Sequence, residues 1–140
     1  MTWPMWALLS ACFAALTAIL AKVGVERVNS DFATFIRTVV ILVVLGCILL
    51  ATGQFQRLDS VPRRSYVFLV LSGIATGASW LCYFRALKAG PASLVAPLDK
   101  LSILLVAVMG VLFLGEKLVP RNWVGLALIL VGALLVGWRR

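Results

Sequence analysis

Four stretches of the chain carry no charged residue for 17 to 21 positions: Met1 to Ala21, Thr38 to Gln56, Ser65 to Phe84 and Asn122 to Trp138. Wound as an α-helix at about 1.5 Å per residue, a stretch of that length crosses the hydrocarbon core of a bilayer, so each predicts a transmembrane helix. A fifth apolar run, Leu101 to Gly115, has only 15 residues and reaches span length only when extended back through Asp99 and Lys100 to Ala92. The pattern predicts an all-α, polytopic membrane bundle of five transmembrane helices, at about 3–21, 32–52, 66–87, 92–114 and 122–138, with an acid and a base inside the fourth.

The punctuation fits. Asn29, Ser30 and Asp31 stand before the second helix, Gly90-Pro91 before the fourth and Pro120 before the fifth, as cap and turn chemistry expects. Aromatic residues mark the membrane boundaries: Trp3 and Trp6, Phe32 and Phe35, Tyr66 and Phe68, and Trp123 with Trp138. Pro97 removes one backbone donor and frees a carbonyl near Ser93, so irregular backbone is expected at the start of the fourth helix. No internal repeat of about 20 to 50 residues is visible, so residues 1–140 read as a single transmembrane domain.

Composition narrows the function classes. The chain is 63% hydrophobic and 13% charged, against roughly 25% charged for soluble domains. Its first apolar stretch lacks the basic start and short core of a signal peptide and reads as a retained helix. The net charge of +8 comes from 13 scattered Lys and Arg, which suit loops beside anionic lipid headgroups rather than nucleic acid. There is no histidine, and Cys12, Cys47 and Cys82 each lie inside an apolar run without metal-ligand or disulfide spacing. Neither a metal site nor a cofactor is implied, and no nucleophile and base pair supports an enzyme.

The loops do not decide orientation. On side A, the side of the N-terminus, stand Arg57, Arg63, Arg64, Lys117 and Arg121; on side B stand Lys22, Arg27, Arg85, Lys88, Arg139 and Arg140. With five bases against six, the positive-inside rule favours neither side. The favoured expectation is insertion in both orientations as an antiparallel homodimer; the other is one orientation fixed by other features.

Charges at membrane depth cost about 2.5 to 3.5 kcal/mol each on insertion scales and are read as functional or internally paired. Arg37, Asp99 and Lys100 are such charges, with Lys22 and Arg85 near helix ends, and all are expected in the half of the membrane towards side B. Asp99 is expected to be the counter-ion of Arg37 or Lys100. Adjacent side chains on a helix point about 100° apart, so Asp99 and Lys100 are not expected to share all their partners. Two readings stay open: a fixed salt-bridge network holding helices two, three and four, or a net-positive polar cavity for a carboxylate, phosphate or zwitterion, with Asp99 carrying a coupling proton. Thr76, Trp80 and Tyr83-Phe84 form a stripe running towards Arg85, as packing or as a binding wall. Gly73 with Gly77, and Gly125 with Gly132, are candidates for close helix packing within the chain or in a dimer.

Trp80 to Leu87, Gly90 to Leu98, Phe113-Leu114-Gly115-Glu116-Lys117-Leu118, and Trp123 to Gly132, together with Phe35-Ile36-Arg37, resemble the EamA domain of the drug/metabolite transporter superfamily, in its short, single-domain, five-helix bacterial and archaeal branch. The resemblance implies half of a ten-helix inverted-repeat transporter of the bacterial or archaeal inner membrane. A second, inverted copy or a paralogue would complete it. It further implies secondary transport of small metabolites by alternating access; the charges at membrane depth, not the resemblance, favour a small polar, anionic or zwitterionic one, with Arg37, Asp99 and Lys100 expected nearest the pathway and Arg85 and Trp80 beside it. The four-helix multidrug relatives use a glutamate in the first helix, where this chain offers only Ser10, Cys12 and Thr17, so a quaternary-ammonium exporter is not expected. The alternative expectation is a non-transporting subunit that stabilises another membrane protein.

Overall fold

Six helices, α1 (Trp3–Val25), α2 (Ser30–Thr52), α3 (Arg63–Ala89), α4 (Ala92–Asp99), α5 (Ser102–Leu114) and α6 (Pro120–Gly137), follow one another in a computed structural model that describes residues 2–57 and 60–137. Five segments are long and apolar enough to cross a membrane, the fourth being Ala92–Leu114, which runs through α4 and α5. No strand occurs among the described residues. The expected boundary position of Trp138 and the side-B charges Arg139 and Arg140 lie outside the described residues.

Local chemistry accounts for the helix ends. Asn29 caps α2, its side-chain oxygen accepting from the N–H groups of Asp31 and Phe32 at 2.9 and 3.2 Å, which satisfies two otherwise orphaned donors. The helix stops at Gly53, which adopts φ 63° and donates back to Leu50 O at 3.3 Å. Pro120 opens α6, where its missing N–H costs nothing. The Leu114-Gly115-Glu116-Lys117 stretch proves to be a helix terminator. Gly115 takes φ 68°, a left-handed conformation that costs residues with a Cβ about 1 to 2 kcal/mol. The Glu116 N–H then bonds Gly110 O at 3.1 Å, and its carboxylate folds over Gly110, where a Cβ would stand 2.7 Å from Glu116 Oε2.

The chain divides into two compact units, Met1–Ile19 with Gly90–Arg140, and Leu20–Ala89. In the first, α6 packs on α4 and touches α5. The approach of α6 to α4 is close enough that a Cβ on Gly137 would meet Leu98 Cδ2 at 2.6 Å. In the second, α2 packs along α3, and Val25, Thr34, Phe84 and Leu87 are its buried residues.

The fourth span is irregular, as Pro97 led one to expect, but not at the expected place. Its backbone stays helical through Pro97 and breaks three residues later, at Lys100 and Leu101. The bonds around the break tighten to three-residue steps: the Lys100 N–H is shared between Ala96 O at 3.3 Å and Pro97 O at 3.1 Å, and Leu101 N bonds Leu98 O at 3.0 Å, Ile103 N Lys100 O at 3.0 Å and Leu104 N Leu101 O at 3.1 Å. Pro97 removes a bond to Ser93 O, and the following turn tightens in response. The irregularity therefore falls after the proline, on the charged pair, rather than at the helix start.

Two glycine substitutions separate backbone strain from packing. Gly115→Ala is expected to lower stability by about 1 kcal/mol, because the left-handed cap is lost. Gly46→Ala lies within α2, where an added Cβ meets nothing within 4 Å, and is expected to raise stability by up to about 1 kcal/mol through helix propensity. Unfolding titrations in mixed micelles read both.

Candidate functional site

The second unit concentrates the chemistry. On its side-B edge the guanidinium of Arg85, near the end of α3, donates from Nε to Asp31 Oδ1 at 2.9 Å and from Nη2 to Asp31 Oδ2 at 2.7 Å. This two-pronged bond joins the last turns of α3 to the first turn of α2. Two lysines reinforce the same edge by donating to backbone carbonyls: Lys22 Nζ to Leu87 O at 2.7 Å and Lys88 Nζ to Val28 O at 2.6 Å. Leu87 is in the last turn of α3, where carbonyls lack intrahelical donors and a lysine meets the negative end of the helix dipole, whereas Val28 is in the turn between α1 and α2.

About two turns further along α2, Arg37 lies flat on Trp80. Its Cζ is 3.0 Å from the indole centroid and 5.7 Å from that of Phe84, and Trp80 and Phe84 are themselves stacked at 6.5 Å. A cation over an indole face gains about 0.5 to 2 kcal/mol. That contact uses the face of the guanidinium, whereas its five N–H donors lie in the plane and point outward. Among the described residues no hydrogen bond or ion pair engages them.

Trp80 also closes one end of a groove between α2 and α3. The groove holds about 380 Å³ and is lined by Thr38 and Ile41 from α2 and by Leu69, Ser72, Gly73, Thr76, Gly77 and Trp80 from α3. The α3 residues recur at three- and four-residue steps and so share one helix face. Small side chains there hold the groove open: a Cβ on Gly73 or Gly77 meets nothing within 4 Å. Two hydroxyls commit their protons to the backbone, Thr38 to Thr34 O at 2.9 Å and Thr76 to Ser72 O at 2.8 Å. The groove wall is mostly apolar, with a few hydroxyl oxygens left as acceptors.

Of the residues singled out from the sequence, Arg37 and Trp80 come together. Asp99 and Lys100, in the first unit, pair with each other at 3.6 Å. Of the two counter-ions expected for Asp99, Lys100 is the one beside it: Asp99 closes α4, and Lys100 stands in the turn with φ −70° and ψ −6°. Arg85 finds its acid in Asp31, which the sequence presents only as a cap residue; the cap proper is Asn29. Asp31 in the first turn of one helix and Arg85 in the last turns of the next face the same boundary, and that shared position is the signal in the sequence that could have paired them. A Cβ on Gly125 or Gly132 meets nothing within 4 Å.

Among the described residues five segments of membrane length, with a charged turn inside one of them, define the class of a polytopic membrane bundle. A family model described as the EamA-like transporter family matches residues 1–138, and the chain belongs to that family. It is an integral inner-membrane protein of a transporter family. It is similar to a Sinorhizobium sp. protein named "Uncharacterized transporter in cobO 3'region", 66% identical over 135 residues, covering 96% of each chain. It is also similar to the "Probable 4-amino-4-deoxy-L-arabinose-phosphoundecaprenol flippase subunit ArnE" of Aeromonas salmonicida, 29% identical over 108 residues, covering 69% of this chain and 95% of the relative. A third likeness is to the "Uncharacterized transporter YwfM" of Bacillus subtilis, 35% identical over 75 residues, or 54% of this chain and 25% of that one. No solved structure matches the chain.

The side-B bond is open to a double-mutant cycle. Asp31→Asn and Arg85→Gln are each expected to destabilise, with a coupling energy of about 0.5 to 1 kcal/mol, since both side chains are substantially exposed. The charge-reversed pair, Asp31→Arg with Arg85→Asp, is expected to recover part of that coupling in the same unfolding measurement.

Proposed function

We propose that the chain is a single five-helix transport domain acting as half of a secondary transporter, in which Arg37 on Trp80 receives the negative charge of a small anionic or zwitterionic metabolite. The observation that carries this reading is the guanidinium itself: fixed through its face by Trp80, offering a planar set of donors, and without a carboxylate among the described residues. An arginine fixed in this way presents a fork matched to a carboxylate or phosphate edge. Asp99 with Lys100, in the first unit, is the second charged element the proposal assigns to transport, from its depth within the fourth span of the sequence. Arg85 belongs to the edge that holds α2 and α3 in place.

A second, inverted copy of the chain completes the transporter in this proposal, so that each face of the membrane receives an equivalent site and the pair alternates access between them. The near-equal distribution of loop bases supports it. A paralogue in place of the second copy is the other reading, favoured by the word "subunit" in the name of the Aeromonas relative.

Two measurements test the proposal. Small carboxylates and phosphates are expected to raise the thermal stability of the purified protein; Arg37→Gln is expected to abolish the shift, and Arg37→Lys to weaken apparent affinity about tenfold, because an ammonium keeps the charge but loses the planar fork. A stabilisation indifferent to both substitutions sinks the assignment. Cysteine labelling of engineered loops in whole cells is expected to find both orientations; a single orientation removes the homodimer and leaves the paralogue.

A further inference from the structure

The groove that begins at Trp80 is larger and more apolar than a small ion requires. Its α3 wall runs from Trp80 to Leu69, 11 residues, or about 16 Å at the helical rise. It is lined chiefly by Ile41, Leu69, the glycine positions Gly73 and Gly77, and the indole, with only the hydroxyls of Thr38, Ser72 and Thr76 as polar groups. The charge is at one end only. Arg37 and Trp80 stand at the side-B end, and the groove continues from there towards the side-A half of α3. Polarity along the groove therefore has a direction: cation first, then an apolar slot at membrane depth.

A lipid of the side-B leaflet has the same polarity in the same direction, with its headgroup at side B and its chain pointing inward. We infer that the α2/α3 groove takes the apolar chain of an anionic amphiphile whose headgroup is held by Arg37. This deepens the reading of Arg37 as an anion site and rests on it. Charge complementarity selects the headgroup, since the guanidinium has unengaged donors and no carboxylate partner among the described residues. Burial of the chain adds to the affinity, by far less in exchange with lipid than in transfer from water. The advantage of a chain lies chiefly in holding the headgroup beside the guanidinium, an effect of linkage. Gly73 and Gly77 are then specificity residues: their missing side chains are the space the chain occupies, and no neighbour approaches them within 4 Å.

The test uses the full chain in nanodiscs of neutral phosphatidylcholine, with inorganic phosphate, butyl phosphate, dodecyl phosphate and dodecanol as probes and thermal stabilisation as the readout. Dodecyl phosphate is expected to stabilise at a concentration at least tenfold below that of butyl phosphate, and dodecanol not at all. Arg37→Gln is expected to remove the response to every phosphate. Gly77→Leu is expected to remove the dodecyl advantage and keep the response to inorganic phosphate, and Gly73→Leu serves the same purpose should the first variant fail to fold. Equal potency of butyl and dodecyl phosphate, or a dodecyl advantage that survives both leucine variants, overturns the inference and leaves the anion site intact. A phosphate response that Arg37→Gln does not change, or none with any phosphate, overturns the anion site and the inference together.

Discussion

The bidentate bond between Arg85 and Asp31 sets the terms for the second unit. It fixes the first turn of α2 against the last turns of α3, and it removes Asp31 from the pool of acids that Arg37 could use. Arg37 is six residues beyond Asp31 on the same helix, which places it roughly 120° round the axis at about 100° per residue, on another face. The acid is thus held at the boundary by one arginine while the other lies deeper without it. Exposed ion pairs of this kind contribute about 0 to 1 kcal/mol to stability, so the larger consequence is where the charges stand.

Trp80 has the complementary role. A charge at membrane depth costs about 2.5 to 3.5 kcal/mol to insert, and a cation–π contact worth about 0.5 to 2 kcal/mol offsets part of that. The indole orients the guanidinium and leaves its donors unspent. Had an acid stood in the place of Trp80, the same arginine would be neutralised and inert towards anions. The groove begins at the same indole, so one residue both presents the cation and starts the apolar wall. In this arrangement α3 contributes glycines where Leu or Ile would be the ordinary choice for a lipid-facing position.

Much of this is legible in the chain as a sequence. Uncharged runs of span length locate five segments, because a bilayer imposes one length on every crossing. Arg37 and Trp80 are identifiable as a charge at depth and an aromatic on a stripe, but their contact is not, since one-dimensional spacing does not say which helix faces which. Asp31 is hidden by its own plausibility as a cap: three consecutive residues, Asn29, Ser30 and Asp31, compete for that role, and only geometry shows that Asn29 takes it and frees Asp31 for Arg85. The glycines at 73 and 77 are visible as a packing motif, while the open space beside them is not.

The break in the fourth span is the place where local and global demands differ most. A continuous helix would send the side chains of Asp99 and Lys100 in directions about 100° apart, and each would need its own partner in a medium that offers few. The turn at Lys100 and Leu101 is tightened while its backbone stays right-handed, and the two side chains stand 3.6 Å apart. The proline that prepares the break lies three residues earlier, where it costs one bond to Ser93 O, and three-residue bonds follow from Lys100, Leu101, Ile103 and Leu104. Non-helical backbone at membrane depth persists where protein or a wet cavity adjoins it. The charged turn thus joins two differently held helices of one span, α4 close against α6 where Leu98 approaches Gly137, and α5 closed at its far end by Gly115 and Glu116.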